Sequence, residues 1–170
     1  PPIKTYMSEH KKSILITGCS SGIGYDAAHG LHRHGWRVFA TCRKPEDCAR
    51  LRSEGLESFE LDIENTESVT AGLAEALKRT GGTLDALFNN GAYGMPGANE
   101  DLPRDALREI FETNLFGTHD LTQQVIPVMR AQGHGRIINN SSVLGFVPMM
   151  WRSAYVSTKY ALEGLTDVLR

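Results

Sequence analysis

Ser13-Ile14-Leu15-Ile16-Thr17-Gly18-Cys19-Ser20-Ser21-Gly22-Ile23-Gly24 is the stretch that decides the fold. It opens on a short apolar run, and a strand apolar on both faces belongs inside a parallel sheet. Glycines at 18, 22 and 24 follow, and a helix-compatible segment then reaches Gly35. Glycines in a turn between strand and helix let the backbone come close to a diphosphate at the helix N-terminus. The spacing is not GxGxxG, and such a turn can also be a plain tight connection. The strand-turn-helix context favours the phosphate reading.

Downstream the alternation repeats. Strand patterns occupy residues 36–41, 58–61, 84–88 and 135–142. Between them lie a helix opened by Pro45 at a favoured first position and one capped by Asn65-Thr66 and closed by Gly81-Gly82. The longest helical pattern starts at Pro103 and runs through Val128, with a late kink predicted at Pro127. Strands alternating with helices predict a doubly wound, parallel α/β sheet in three α/β/α layers, with any ligand along the edge where the strands end. Residues 1–12 are polar and aperiodic and read as a flexible arm; residues 13–170 read as one domain.

Bulk properties narrow the function classes. The 170 residues are 41% hydrophobic and 22% charged, with a net charge of -2, which gives no electrostatic reason to expect nucleic acid or an anionic membrane. The expected partner is a small molecule. No apolar run approaches the roughly 18 residues of a membrane helix, and the N-terminus has no signal-peptide core, which points to the cytoplasm. Cys19, Cys42 and Cys48 are odd in number and lack CxxC spacing, so they read as reduced thiols, and the histidines show no metal-ligand spacing.

Polar residues recur at the predicted strand ends. Cys42-Arg43-Lys44 follows the second strand, where a carboxylate would accept the ribose hydroxyls of NAD and an arginine the extra phosphate of NADP. These cations favour NADP over NAD, a solvated basic turn being the alternative. Asp62, after the third strand, can meet an adenine amino group or cap a turn. Asn114 interrupts an apolar helix face, where an amide is costly unless bonded, so it is either a structural bridge or part of a site. Ser141 and Ser142 end the fifth strand. The loop 143–152, with Pro148, Met149, Met150 and Trp151, reads as an adaptable apolar lining or as core. Ser153 is expected to cap the last helix. On it Tyr155 and Lys159, four residues apart, project from one face. A phenol ordinarily titrates at about 10, and a neighbouring cation brings it toward the working range; a solvated helix face is the bland alternative.

Together these pieces resemble the short-chain dehydrogenase/reductase family from Ser13 to Arg170. Thr17 to Gly24 fits its TGxxxGxG turn, Asn89-Asn90 begins its NNAG segment, and Ser142, Tyr155 and Lys159 fit its Ser and YxxxK pattern, with Asn114 where it places an asparagine. The wording Ala40-Thr41-Cys42-Arg43 looks like the NADP-using hydroxysteroid and retinol dehydrogenase branch. The resemblance implies a Rossmann-type catalytic domain and hydride exchange between NADP(H) and a ketone, aldehyde or secondary alcohol. Tyr155 would carry the proton, Lys159 would tune it, Ser142 would hold the substrate oxygen, and Asn114 would hold a water. Gly18, Ser20, Ser21, Gly22, Ile23, Gly24, Arg43, Asp62, Ile63, Asn90, Tyr155 and Lys159 would contact the cofactor. The helices over 103–132 and from 153 would pair subunits into a homodimer or homotetramer. In two respects the chain departs from the pattern. Gly91-Ala92 reverses the family's Ala-Gly order, so a local turn adjustment is expected. Domains of this class run to about 200–250 residues, so the family's last strands and substrate lid are expected to be missing from these 170 residues, which are either a piece of a longer protein or a shortened form. A non-catalytic dinucleotide sensor or interaction module on the same fold is the alternative.

Overall fold

The computed structural model describes residues 11–170, so residues 1–10 of the expected arm lie outside the described residues. Strands β1 (Ser13–Ile16), β2 (Arg37–Cys42), β3 (Glu57–Glu60), β4 (Ala86–Asn89) and β5 (Arg136–Asn139) form one sheet in the order β3-β2-β1-β4-β5. Every pairing is parallel. Succession runs outward from β1 to β3 and then reverses across β1 to β4, which opens a crevice at the strands' carboxyl ends beside β1.

Six helices follow among the described residues: α1 (Gly22–Arg33), α2 (Pro45–Ser53), α3 (Thr66–Thr80), α4 (Arg104–Phe111), α5 (Thr118–Gln132) and α6 (Ser153–Val168). The alternation of side chains along β1 sorts them into two cores. Ile14 and Ile16 pack with Ala28, Cys48 and Leu51 on the α1/α2 face. Leu15 packs on the other face with Val69 and Leu73 of α3 and Leu121 and Val125 of α5. Both faces of the sheet are therefore covered, which is why its central strands carry no polar stripe. Among the described residues no helix is long and apolar enough to cross a membrane. The three cysteines are free and buried, and burial pushes the Cys42 thiol up to about 12 and the Cys19 thiol higher still.

Local signals set most boundaries. Pro45 opens α2, the Asn65 side chain accepts the Ser68 N–H at 2.9 Å to cap α3, and left-handed Gly81 closes it. Two expectations need correction. The pattern from Pro103 is not one α-helix, because residues Glu112–Gly117 between α4 and α5 form a π-helical segment. There Gly117 presses on the loop after β3, where a Cβ would overlap the Ile63 carbonyl oxygen, and the wider turn accommodates the approach. Helix α5 continues past Pro127 to Gln132. Nor does Ser153 cap α6. The N-cap is Arg152, without a side-chain capping bond, because the chain reverses one residue earlier, at Trp151 with φ 65°, leaving Ser153 inside the helix.

Candidate active site

At the carboxyl end of β1, Gly18 has φ 68°, a left-handed conformation that side chains resist. A Cβ on Gly24 would overlap the Gly18 carbonyl and stand 2.5 Å from the Asn90 amide nitrogen. The turn thus folds back on the first residues of α1 with no room for a methyl. Ser21, the α1 N-cap, makes no side-chain capping bond, so the first N–H groups of the helix stay available to an anion. Arg50 steadies the turn by donating to the Ser20 carbonyl at 2.6 Å.

Asn90 holds this turn to the rest of the sheet. Its amide nitrogen donates to the Thr17 and Gly18 carbonyls at 3.0 and 3.1 Å, and its oxygen accepts from Asn140 at 2.8 Å. The side chain lines the cavity while all its bonds go to protein. Thr17 Oγ1 accepts the N–H groups of both Asn90 and Gly91, at 3.0 and 2.9 Å. At the reversed Gly91-Ala92 pair, a Cβ at position 91 would stand 2.9 Å from Cδ1 of Ile63, the movable end of its side chain.

From this turn a groove runs both ways along the sheet edge. A cavity of about 660 Å³ is lined by Gly18, Ser20, Ser21, Ile23 and Asn90 together with Ser142, Tyr155 and Lys159. A second, of about 240 Å³, is lined by Arg43, Asp62 and Ile63 and shares Gly18, Ser20, Gly91, Ala92 and Tyr93 with the first. Most of the predicted residues therefore converge on one groove. Gly22, Gly24 and Asn114 lie outside both linings. Arg43 is exposed, and among the described residues no ion pair engages it. Asp62 uses one carboxylate oxygen to cap its own turn, accepting the Glu64 N–H at 3.1 Å, and still lines the groove. Of the apolar loop, Leu144 and Met149 line the cavity, whereas Met150 and Trp151 are 83% and 64% exposed, so neither lining nor core describes the whole segment.

Lys159 is the chief buried charge of this cavity, 2% exposed. Its ammonium donates to the Asn140 carbonyl at 2.7 Å and stands over the Tyr155 ring, 5.5 Å from its centroid. Burial holds its pKa below the ordinary value near 10.5, against the attraction of Glu163. Between that lowered value and 10.5 the unfolded chain binds more protons than the folded one, so this group makes stability rise with pH there. The unfolding free energy of the wild type relative to Lys159→Met is therefore expected to increase as pH is raised toward 10.5 in chemical denaturation; a constant difference would contradict a buried, charged Lys159.

Asn114, 1% exposed, resolves toward the bridge reading. Its oxygen accepts the Tyr93 N–H at 3.0 Å and its nitrogen donates to the Tyr93 carbonyl at 2.9 Å. A further bond reaches Thr158 Oγ1 at 3.2 Å, tying the π segment to the helix that carries Lys159. Sequence reasoning missed Thr158 and Arg152, and met Thr17 only as the first residue of the glycine turn. Arg152 had a local signal: it stands three residues before Tyr155 at the head of the same helix and lines the same cavity.

Known proteins resemble this chain in sequence and fold. The chain is 42% identical over 160 residues to the uncharacterized oxidoreductase YbbO of Escherichia coli (strain K12), covering 94% of this chain and 60% of that protein. Mouse (Mus musculus) mitochondrial D-beta-hydroxybutyrate dehydrogenase is 33% identical over 181 residues, covering 98% and 52%. The crystal structure of a short-chain dehydrogenase from Streptomyces avermitilis superimposes with a TM-score of 0.88 at 35% identity, covering 94% of this chain and 59% of that one. A variant of actinorhodin polyketide ketoreductase solved with NADPH gives 0.87 at 31% identity, covering 94% and 64%. This chain thus spans 52 to 60% of the length of these two sequence relatives. Residues 12–170 match the short chain dehydrogenase family, and the parallel sheet, the glycine turn and the Tyr155/Lys159 helix accord with that match: the chain belongs to that family.

Proposed function

We propose that the protein is an NADP(H)-dependent oxidoreductase that moves a hydride between a nicotinamide and a ketone, aldehyde or secondary alcohol. The observation that carries this reading is the convergence of Ser142, Tyr155 and buried Lys159 on one cavity continuous with the glycine turn. The groove suits a dinucleotide. A Cβ would fill the cradle at Gly24, the α1 N–H groups lack a side-chain cap, and an unengaged cation, Arg43, lies at the far end. The NADPH in the related ketoreductase structure agrees with this choice.

A bound nicotinamide supplies or accepts the hydride. The chain's own residues do the rest. In reduction, Tyr155 donates its phenolic proton to the carbonyl oxygen as the carbon gains the hydride; in oxidation it takes that proton back. Lys159, over the ring face, stabilises negative charge left on the phenol. Ser142, whose Oγ accepts the Leu144 N–H at 3.1 Å, keeps its hydroxyl proton for the substrate oxygen and stabilises charge developing there. Asn114 acts by fixing Thr158 and Tyr93 around the site.

The test is a panel of ketones and secondary alcohols assayed with NADPH and NADH beside a cofactor fluorescence titration. Binding without turnover of any of them would favour a sensor. For the cofactor phosphate, Arg43→Asp is expected to lower the NADP over NAD affinity ratio by about tenfold or more; an unchanged ratio removes Arg43 from the phosphate site.

A further inference from the structure

The cavity that contains Tyr155 holds a second cation with no counterpart. Arg152 lines it together with Ser142, Leu144, Met149, Tyr155 and Lys159, and no Asp or Glu is among the lining residues. Among the described residues the Arg152 guanidinium makes no ion pair or hydrogen bond. It is half-buried and lies over Gly94, where a Cβ would stand 3.6 Å from one of its nitrogens. The position is built into the backbone. Trp151, immediately before it, is the one non-glycine residue with positive φ among the described residues, at 65°. A bulky side chain in that region is strained, and such strain persists where neighbouring structure enforces it. Here the Trp151 carbonyl accepts the Gly97 N–H at 2.9 Å, clamping the loop after β4 to the start of α6. Arg152 caps that helix and Tyr155 follows within its first turn. The lone cation and the proton-carrying phenol are thereby held in one cavity.

A half-buried guanidinium without a partner, in a lining free of Asp and Glu, is the group that an anionic ligand would complete. We propose that Arg152 is a specificity-determining residue that pairs with a carboxylate on the substrate, so that the enzyme prefers an oxo acid, or in reverse a hydroxy acid, to a neutral carbonyl compound. The guanidinium fork presents two parallel N–H groups that match a carboxylate. The cofactor's phosphates are met at the other end of the groove, by the glycine turn and Arg43. This inference rests on the oxidoreductase reading and adds the substrate's charge.

The experiment compares an oxo acid with its ethyl ester as paired substrates, with NADPH, for the wild type, Arg152→Met and Arg152→Lys. The wild type should favour the acid, and Arg152→Met should lower the acid-to-ester ratio of kcat/KM by about 10- to 100-fold, mainly through KM. Arg152→Lys should recover part of it, since the charge returns without the fork. Equal turnover of acid and ester by the wild type, or an unchanged ratio in Arg152→Met, overturns the inference and leaves the oxidoreductase reading standing. A fall in NADPH affinity that accounts for the whole effect assigns Arg152 to the cofactor and also overturns it. No turnover of either substrate, with folding confirmed by circular dichroism, refutes the oxidoreductase reading itself and this inference with it.

Discussion

Tyr155→Phe is expected to lose turnover by about 10²- to 10⁴-fold, the range for removing a positioned general acid, while NADPH binding changes little. The expectation follows from where the phenol sits. Its ring is packed beneath the Lys159 ammonium at 5.5 Å, so phenylalanine keeps the packing and the cation–π contact and removes only the oxygen. No hydrogen bond from the Tyr155 hydroxyl to other described residues accompanies this contact, so the fold gives up nothing with it. The check pairs single-turnover hydride transfer with a cofactor titration on the same protein. Rates within a few-fold of wild type would remove Tyr155 from proton transfer. Weakened NADPH binding would instead show that its hydroxyl serves the cofactor.

Gly24→Ala should be damaging without touching any reacting group. The added methyl would overlap the Gly18 carbonyl and press on the Asn90 amide at 2.5 Å, and backbone cannot yield as a flexible side chain does. Overpacking of this kind typically costs about 1–3 kcal/mol. Here the displaced atoms are the cradle itself, so cofactor affinity should fall by at least about tenfold. Asn90 would be pushed from its bonds to Thr17 and Gly18, linking both losses. Denaturant unfolding and NADPH titration read the two effects; normal affinity in a stably folded Gly24→Ala protein would show that the turn does not approach the cofactor.

Much of this was legible from local chemistry. The burial of all four β1 residues is what an apolar run predicts, and Pro45, Asn65 and Gly81 mark helix ends because capping depends on neighbours in the chain. Asn114 was legible as a polar intrusion that either bridges or serves a site, but not which groups it bonds, since its partners Tyr93 and Thr158 lie 21 and 44 residues away. The π segment was hidden because an apolar helical pattern reads alike through an inserted turn; the pressure on it comes from Ile63, on a different element. Ser153 misled for a related reason. It is a good capping residue, but the strained turn at Trp151 had already fixed the boundary at Arg152. Arg152 itself follows a run of exposed apolar residues, a pattern that signals hydrophobic contact and not a charged site.

The bonds of Asn90 also bear on how the protein folds. They join segments 73, 72 and 50 residues apart, and the β1–β4 pairing beneath them spans a comparable distance. Such closures carry a large entropic cost before they return any stability, so they form late. The groove cannot assemble hairpin by hairpin. Its glycine-turn end needs β4 docked against β1, and its Ser142, Tyr155 and Lys159 end needs β5 and α6 in place as well, so the whole groove is a property of the finished topology.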